Sequence, residues 1–503
     1  MKQIKKLFST LLVMAMLLPF GAALAAEDGF NGCYTYNYDY WGEIIQSPDA
    51  YRVDTVLYSA ELGLETAMRR PQSMFVRDSE LYVCDTGNNR IIQLHRDKSD
   101  FSVVRIIDHV SGAEPSGFAT PSDVFVDENG NIYVADTNNN RVIMADKDLN
   151  YLASYVKPDS NTFDQALSFL PNKLVVDSSG RVYVLATNVN KGVVKYEADG
   201  TFSGYIGANQ VTYSLWDYVW KMYFTTKEQR SQQAAFVPTE YENIYIDRDG
   251  FIYATNTVFS EYDLLYANAK PIRRLNAIGT DILIKNGKYP PIGDLDWVEQ
   301  SQVDGPSKFK DITVLENDIY VAVDRTRGRL FGYDSQGILL WAFGNKGNSV
   351  GSFSSAVSIE HMGMDLLVMD EFNGSITLFT PTEYGNLVYY AIEQYLKGDY
   401  QGSADTWREV LKFNANYDLA FIGIGRALMQ QERYEEAMKY FKMAHDRVNY
   451  GRAYRYYRKE LVEKNILWIV VVVAVLIVVS YVIRKIKKIK WEVKEYERQR
   501  VIH

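Results

Sequence analysis

The sequence predicts a mainly β protein: a six-bladed β-propeller, followed by a short α-helical repeat stalk and one transmembrane helix. Three observations carry this. Nearly identical strand–turn–strand segments recur along the first three quarters of the 503 residues. The composition switches to helix-forming residues from Tyr384 onward. Eighteen consecutive uncharged, Val/Ile/Leu-rich residues run from Ile466 to Ile483, long enough to cross a bilayer.

The chain opens with Lys2, Lys5 and Lys6, an apolar run from Leu7 to Leu18, and small residues through Ala26. A basic start, a short apolar stretch and an A-x-A-like end make residues 1–26 a secretory signal peptide. Arg484, Lys485, Lys487, Lys488 and Lys490 follow the second apolar run and mark its cytoplasmic side. The basic residues Arg452 to Lys464 lie just before it, so the signal peptide decides the orientation. The expected location is therefore a plasma membrane, crossed once through Ile466 to Ile483, with the N-terminal region outside and the basic tail 484–503 inside.

The total charge is −9; setting aside the three leader lysines and the net +5 of the tail leaves the outer part near −17. Such a surface repels nucleic acid, which is excluded as a partner. Cys33 and Cys84 are the two cysteines, and a chain this long has enough core without pairing them.

Two segments of the outer part match almost residue for residue. Pro71-Gln72-Ser73-Met74-Phe75-Val76 leads to Leu81-Tyr82-Val83-Cys84-Asp85-Thr86-Gly87-Asn88-Asn89-Arg90. Fifty-one residues on from Asp85, Pro121-Ser122-Asp123-Val124-Phe125-Val126 leads to Ile132-Tyr133-Val134-Ala135-Asp136-Thr137-Asn138-Asn139-Asn140-Arg141. Alternating apolar runs joined at Asp127-Glu128-Asn129-Gly130 form a hairpin, and the Asp-Thr-x-Asn-Asn-Arg run forms a polar turn. Fainter copies lie at Leu174 to Lys195, Asn243 to Phe259, Phe309 to Leu330 and Phe343 to Phe379. Six units make six blades, spanning about residues 45 to 385 within an outer domain 27–384. Tyr51 to Ser59 alternates polar and apolar residues and is expected to supply the outer strand of the last blade, removing an exposed edge.

The units resemble the NHL repeat, most closely in the first two copies. In that family Asp85 with Asn89 and Arg90, and Asp136 with Asn140 and Arg141, are structural residues of the turn. The spacing from Ala186 to Ala254, 68 residues, exceeds the regular repeat and holds Trp216, Trp220 and Tyr223 at helical spacing. An inserted helix is expected there. Its aromatics are read first as packing and second as a ligand or partner surface.

Residues 385–464 resemble tetratricopeptide repeats. Gly398, Tyr400, Ser403, Trp407 and Val410 recur thirty-four residues later as Glu432, Tyr434, Ala437, Phe441 and Ala444, with Gly425 and Leu428 fitting the intervening helix. A spacer is favoured over a peptide-binding groove, because two repeats bury little core. A third helical piece, Tyr450 to Lys464, is expected to continue toward the membrane.

Catalytic motifs are sparse. Five histidines, His95, His109, His361, His445 and His503, are too few for the zinc sites of NHL-like amidating lyases. No phosphate-binding glycine loop, nucleophile elbow or HExxH is present. Gluconolactonase-type propellers use acidic groups around their axis to hold calcium. Here Asp85, Asp136 and Asp370 follow inner strands, but turn formation is the favoured role for them. The resulting expectation is a non-enzymatic binding or assembly platform with no catalytic residue, cofactor or metal, serving a protein partner or an envelope carbohydrate. A calcium-dependent lactonase-like hydrolase on the propeller axis is the alternative. The combination of NHL blades, tetratricopeptide-like stalk and single span resembles Gram-positive envelope proteins found beside carbohydrate-uptake systems.

Overall fold

Six antiparallel sheets follow one another along the chain of a computed structural model, which describes residues 35–501 except 161, 162, 164, 188, 190, 208–240, 260–262, 265–268 and 296–304. Blade 1 pairs Ser73–Arg77, Glu80–Asp85, Arg90–Asp97 and Asp100–Ile107 in order. Blade 2 repeats this with Pro121–Val126, Ile132–Asp136, Arg141–Ala145 and Tyr151–Val156, and blade 3 with Leu170–Val176, Val182–Thr187, Val193–Tyr196 and Phe202–Ile206. Three strands of blade 4 are described, Tyr241–Ile246, Ile252–Asn256 and Ile272–Leu275. Blade 5 uses Phe309–Val314, Tyr320–Asp324, Arg329–Tyr333 and Leu339–Phe343. Consecutive inner strands pack against one another, and that of blade 6 returns to that of blade 1, closing the ring.

Blade 6 shows how the ring is fastened. Its own strands, Ala356–Met362, Asp365–Asp370 and Ser375–Pro381, take Tyr51–Tyr58 as a fourth, outer strand, with Val56 opposite Thr377. The expected closure by the N-terminal segment is what the chain does. The sequence does not suggest a second addition: Tyr36–Tyr38 and Ile44–Gln46 extend blade 5 to six strands. The tyrosines of this extension end on Asp294, where Tyr36 Oη donates at 2.7 Å and Tyr38 Oη also donates. Arg329 Nη1 completes the set at the same carboxylate.

The core lies between blades. Tyr82, Tyr133, Tyr183 and Tyr253 occupy one equivalent position of successive blades, each at most 6% exposed. Tyr133 packs against Phe125 and Tyr155 with ring centroids 6.5 Å apart and Tyr253 against Tyr320 at 5.7 Å, pairs that each add about 0.5–1.5 kcal/mol beyond the area they bury.

The described residues divide into two units, one reaching Asn386 and a second that takes in Leu387 onward together with Asp39–Glu43. In the second, helices Tyr400–Phe413, Asp418–Gln430, Tyr434–Met443 and Arg447–Val501 pack in sequence. Gly423 and Gly425 admit the rings of Trp407 and Phe441, which a Cβ would approach at 2.4 and 2.6 Å. Tyr450 to Lys464, expected to continue toward the membrane, and Ile466 to Ile483 are parts of one continuous 55-residue helix. That helix is long and apolar enough to cross a membrane by length and composition. Residues 1–26, Cys33, and the Trp216, Trp220 and Tyr223 segment lie outside the described residues.

Candidate functional site

The two recurring features of each blade have different fates. The motif aspartate fastens the turn that follows it to the segment leading into its own blade. Asp85 accepts from Arg69 N at 2.7 Å, Asn88 Nδ2 at 2.9 Å and Arg90 Nε at 2.7 Å. Asp136 repeats this with Ala119 N, Asn139 Nδ2 and Arg141 Nε. Asn89 and Asn140 close the turns in the left-handed region, φ 55° and 56°, which asparagine tolerates better than most residues. Asp370 likewise accepts from Phe372 N, Ser354 N and Asn373 Nδ2. These carboxylates spend their oxygens in three separate turns, so Asp85, Asp136 and Asp370 do not form a calcium set. The hairpins Asp127 to Gly130 and Asp177 to Gly180 are Asx-capped turns: both aspartates accept from backbone N–H groups two and four residues on.

The inner strands carry the second feature. In blades 2 to 6 the register shifts by one residue just before Asp123, Lys173, Asn243, Asp311 and Ser358. A β-bulge at that point re-aims the next side chain. Together with Ser73 these residues make a polar belt around the axis, linked blade to blade. Ser73 Oγ donates to Asp123, whose other oxygen accepts from Leu174 N at 2.8 Å. Asn243 Nδ2 donates to Asp311, whose other oxygen accepts from Ile359 N at 2.9 Å. Ser358 Oγ accepts from Met74 N at 3.1 Å, joining blade 6 to blade 1. Lys173 reaches back to Ser73 Oγ at 3.0 Å and to Asp123 at 3.7 Å.

Above this belt a cavity of about 990 Å³ follows the axis and opens among the hairpin turns that carry Asp78, Glu128 and Asp249. One side of it is apolar, with Phe75, Phe125 and Val175, and the rings of the first two stand 4.6 Å apart. Tyr245 and Glu360 supply polar wall from blades 4 and 6. Behind them Thr313 Oγ1 lies 2.7 Å from His361 Nδ1 and 3.5 Å from Glu360 Oε2.

Burial sets the protonation of this wall. It pushes the Glu360 carboxyl well above the usual range, reinforced by Asp311. It lowers His361 to about 4, with Arg248 adding to the effect, so the ring is neutral at pH 7. Burial also raises Asp123, and it would discharge Lys173, but Asp123 and Asp311 more than offset that and keep the ammonium charged. Cys84, buried beside the belt with a free thiol, is pushed up by the same desolvation. Among the described residues no group of three or more His, Cys, Asp or Glu side chains is placed to hold a metal.

The class that fold and cavity define is a six-bladed β-propeller with a closed ring and an axial pocket open at the hairpin-turn end. Residues 118–143, which span the blade 2 motif, match the NHL repeat family. None of the curated proteins matches the chain in sequence. Among solved structures, a streptogramin B lyase is similar at 13% identity, covering 66% of this chain and 100% of its own, with a TM-score of 0.40. Virginiamycin B lyase from Staphylococcus aureus gives 10%, 66%, 99% and 0.38. A structure named as a candidate gluconolactonase gives 11%, 67%, 94% and 0.38. At these similarities none of the three bears on chemistry, and the architecture rests on the strand pairing itself.

Proposed function

We propose that the chain is an extracytoplasmic binding module, anchored by Ile466 to Ile483, whose propeller takes a small ligand or the end of an envelope polymer into its axial channel. The observation that supports this is the cavity: it has the volume of a small-molecule site, and unrepeated polar and aromatic residues line it. Signal-peptide removal near Ala26, an inside C-terminus, and a tetratricopeptide-like spacer at 385–464 belong to the same reading. Loops and pockets on a rigid ring are where a scaffold of this kind binds.

One experiment tests channel and topology together. Val175→Cys in a Cys33→Ser background is treated on intact cells with a permanently charged, membrane-impermeant methanethiosulfonate. Labelling of the introduced thiol, with Cys84 silent in the parent, is the expected result. Labelling only after permeabilisation would overturn the topology, and none under either condition would overturn an open channel.

A second reading, hydrolysis in the same channel, is favoured by one observation. Glu360 and His361 have their pKa values moved in opposite directions around the Thr313 hydroxyl, the pattern that separates an acid from a base.

A further inference from the structure

Four ionisable groups meet at the channel floor: the carboxyls of Asp123, Asp311 and Glu360 and the ammonium of Lys173. Lys173 is committed to Asp123 and Ser73. Asp311 is committed to Asn243 and to the backbone N–H groups of Ile312 and Ile359. Glu360 has no such match. It is 6% exposed, lines the cavity, and among the described residues accepts from Thr313 Oγ1 at a long 3.5 Å and from the amide of its neighbour His361, while the Lys173 charge offsets its burial only in small part. A desolvated carboxyl whose nearest cation is committed to another carboxylate holds its proton more tightly, and a cation arriving beside it would favour release of that proton to solvent.

The surroundings repeat this preference. At the rim Arg77 and Arg248, the latter paired with Glu316 at 2.9 Å, are outnumbered by carboxylates that include Asp78, Glu128 and Asp249, so the entrance is negative. Away from Glu360, Phe75 and Phe125 present aromatic surface that buries apolar carbon, and the Arg77 guanidinium already stands 5.7 Å from the Phe75 ring centroid. The outer part of the chain is itself strongly acidic, and a charge of that sign concentrates cations at its openings.

We propose that the axial channel binds a small organic cation with an apolar body, its ammonium at Glu360 and its body against Phe75, Phe125 and Val175. The proposal rests on the channel being a ligand site, and the test separates the two. Full-length protein in detergent is titrated calorimetrically with benzylamine, benzyl alcohol and benzoate, isosteres that differ in charge, against detergent alone.

Benzylamine is expected to bind at least about tenfold more tightly than either isostere, the scale of one hydrogen bond to a charged group. Glu360→Gln is expected to reduce that preference to within about threefold. Comparing buffers of different ionisation enthalpy, benzylamine should release a fraction of a proton from wild type and none from Glu360→Gln. The groups facing Glu360 are Asp311 and Thr313 from blade 5, Tyr245 from blade 4, Lys173 and Asp123 across the floor, and His361 beside it, which in turn faces Arg248 and Glu316. Retained proton release in Glu360→Gln would place the proton on one of these and overturn the assignment. Equal binding of all three probes, or tighter binding of the alcohol or benzoate, would overturn the cation while leaving the channel as a site. Binding by none, or equal binding in a channel filled by Val175→Trp, would overturn both.

Discussion

The turn aspartates, present in four of the six blades, and the axial belt, present in all six, both recur with the blades yet behave oppositely. Asp85, Asp136, Asp324 and Asp370 are the same residue because each accepts from the backbone N–H of the segment leading into its own blade, at Arg69, Ala119, Lys308 and Ser354. Ser73, Asp123, Lys173, Asn243, Asp311 and Ser358 occupy one geometric position and are four different residue types. A repeated side chain answers a demand that a blade makes within itself. A varied one answers a demand of the ring as a whole, and in a propeller that shared place is the axis.

Five substitutions sharpen or break this contrast. The largest effect is expected at the turn: Asp136→Asn strands the buried Arg141 guanidinium and should cost about 3–5 kcal/mol, read as a lowered urea midpoint. At the belt, Lys173→Met should cost less, about 1–3 kcal/mol, because Asp123 is already biased toward its neutral form and can take up a proton. A belt variant that costs more than the turn variant would reverse the contrast.

The third prediction concerns pH. Glu360 has a folded value above its ordinary 4.5, so its contribution is full below 4.5 and is lost as pH rises through the folded value. His361 has a folded value of about 4 against 6.5, so its contribution is full above 6.5 and is lost as pH falls toward 4. The two slopes oppose one another between about 4.5 and 6.5. Glu360→Gln should therefore unmask stability that rises from pH 4 to 6.5, and His361→Gln stability that falls as pH increases above 4.5. Urea midpoints across that range decide it, and parallel profiles for both variants would sink the assignment. Smallest of all, Asn140→Gly keeps the φ of 56° available and should change stability by no more than about 1 kcal/mol.

These contrasts also mark what the sequence could reveal. The blades, the hairpins and the clasp strand Tyr51–Tyr58 are legible because each depends on a local pattern: alternation, turn residues and a recurring motif. The axial site is less legible because its residues come from six distant units and share no identity. One signal was present. In each unit a polar residue interrupts an apolar inner strand at the same place, as in Ser122-Asp123-Val124-Phe125 and Lys310-Asp311-Ile312-Thr313. Reading identity instead of position draws the eye to Asp85, Asp136 and Asp370, which hold turns. The bond from Arg329 to Asp294 was hidden for a related reason: Arg329 aligns with Arg90 and Arg141, yet it serves the added strand Tyr36–Tyr38 instead of its own turn.

The clasp sets the order in which the ring can be completed. Val56 meets Thr377 across more than three hundred intervening residues, so no shorter portion of the chain contains both halves of blade 6. A polypeptide delivered from its N-terminus must hold Tyr51–Tyr58 unpaired until Ser375–Pro381 arrives, and a chain truncated before that point keeps two open sheet edges, each a template for another strand. Completion of the circle is thus a built-in check on length: only a chain synthesised through its last blade can lock.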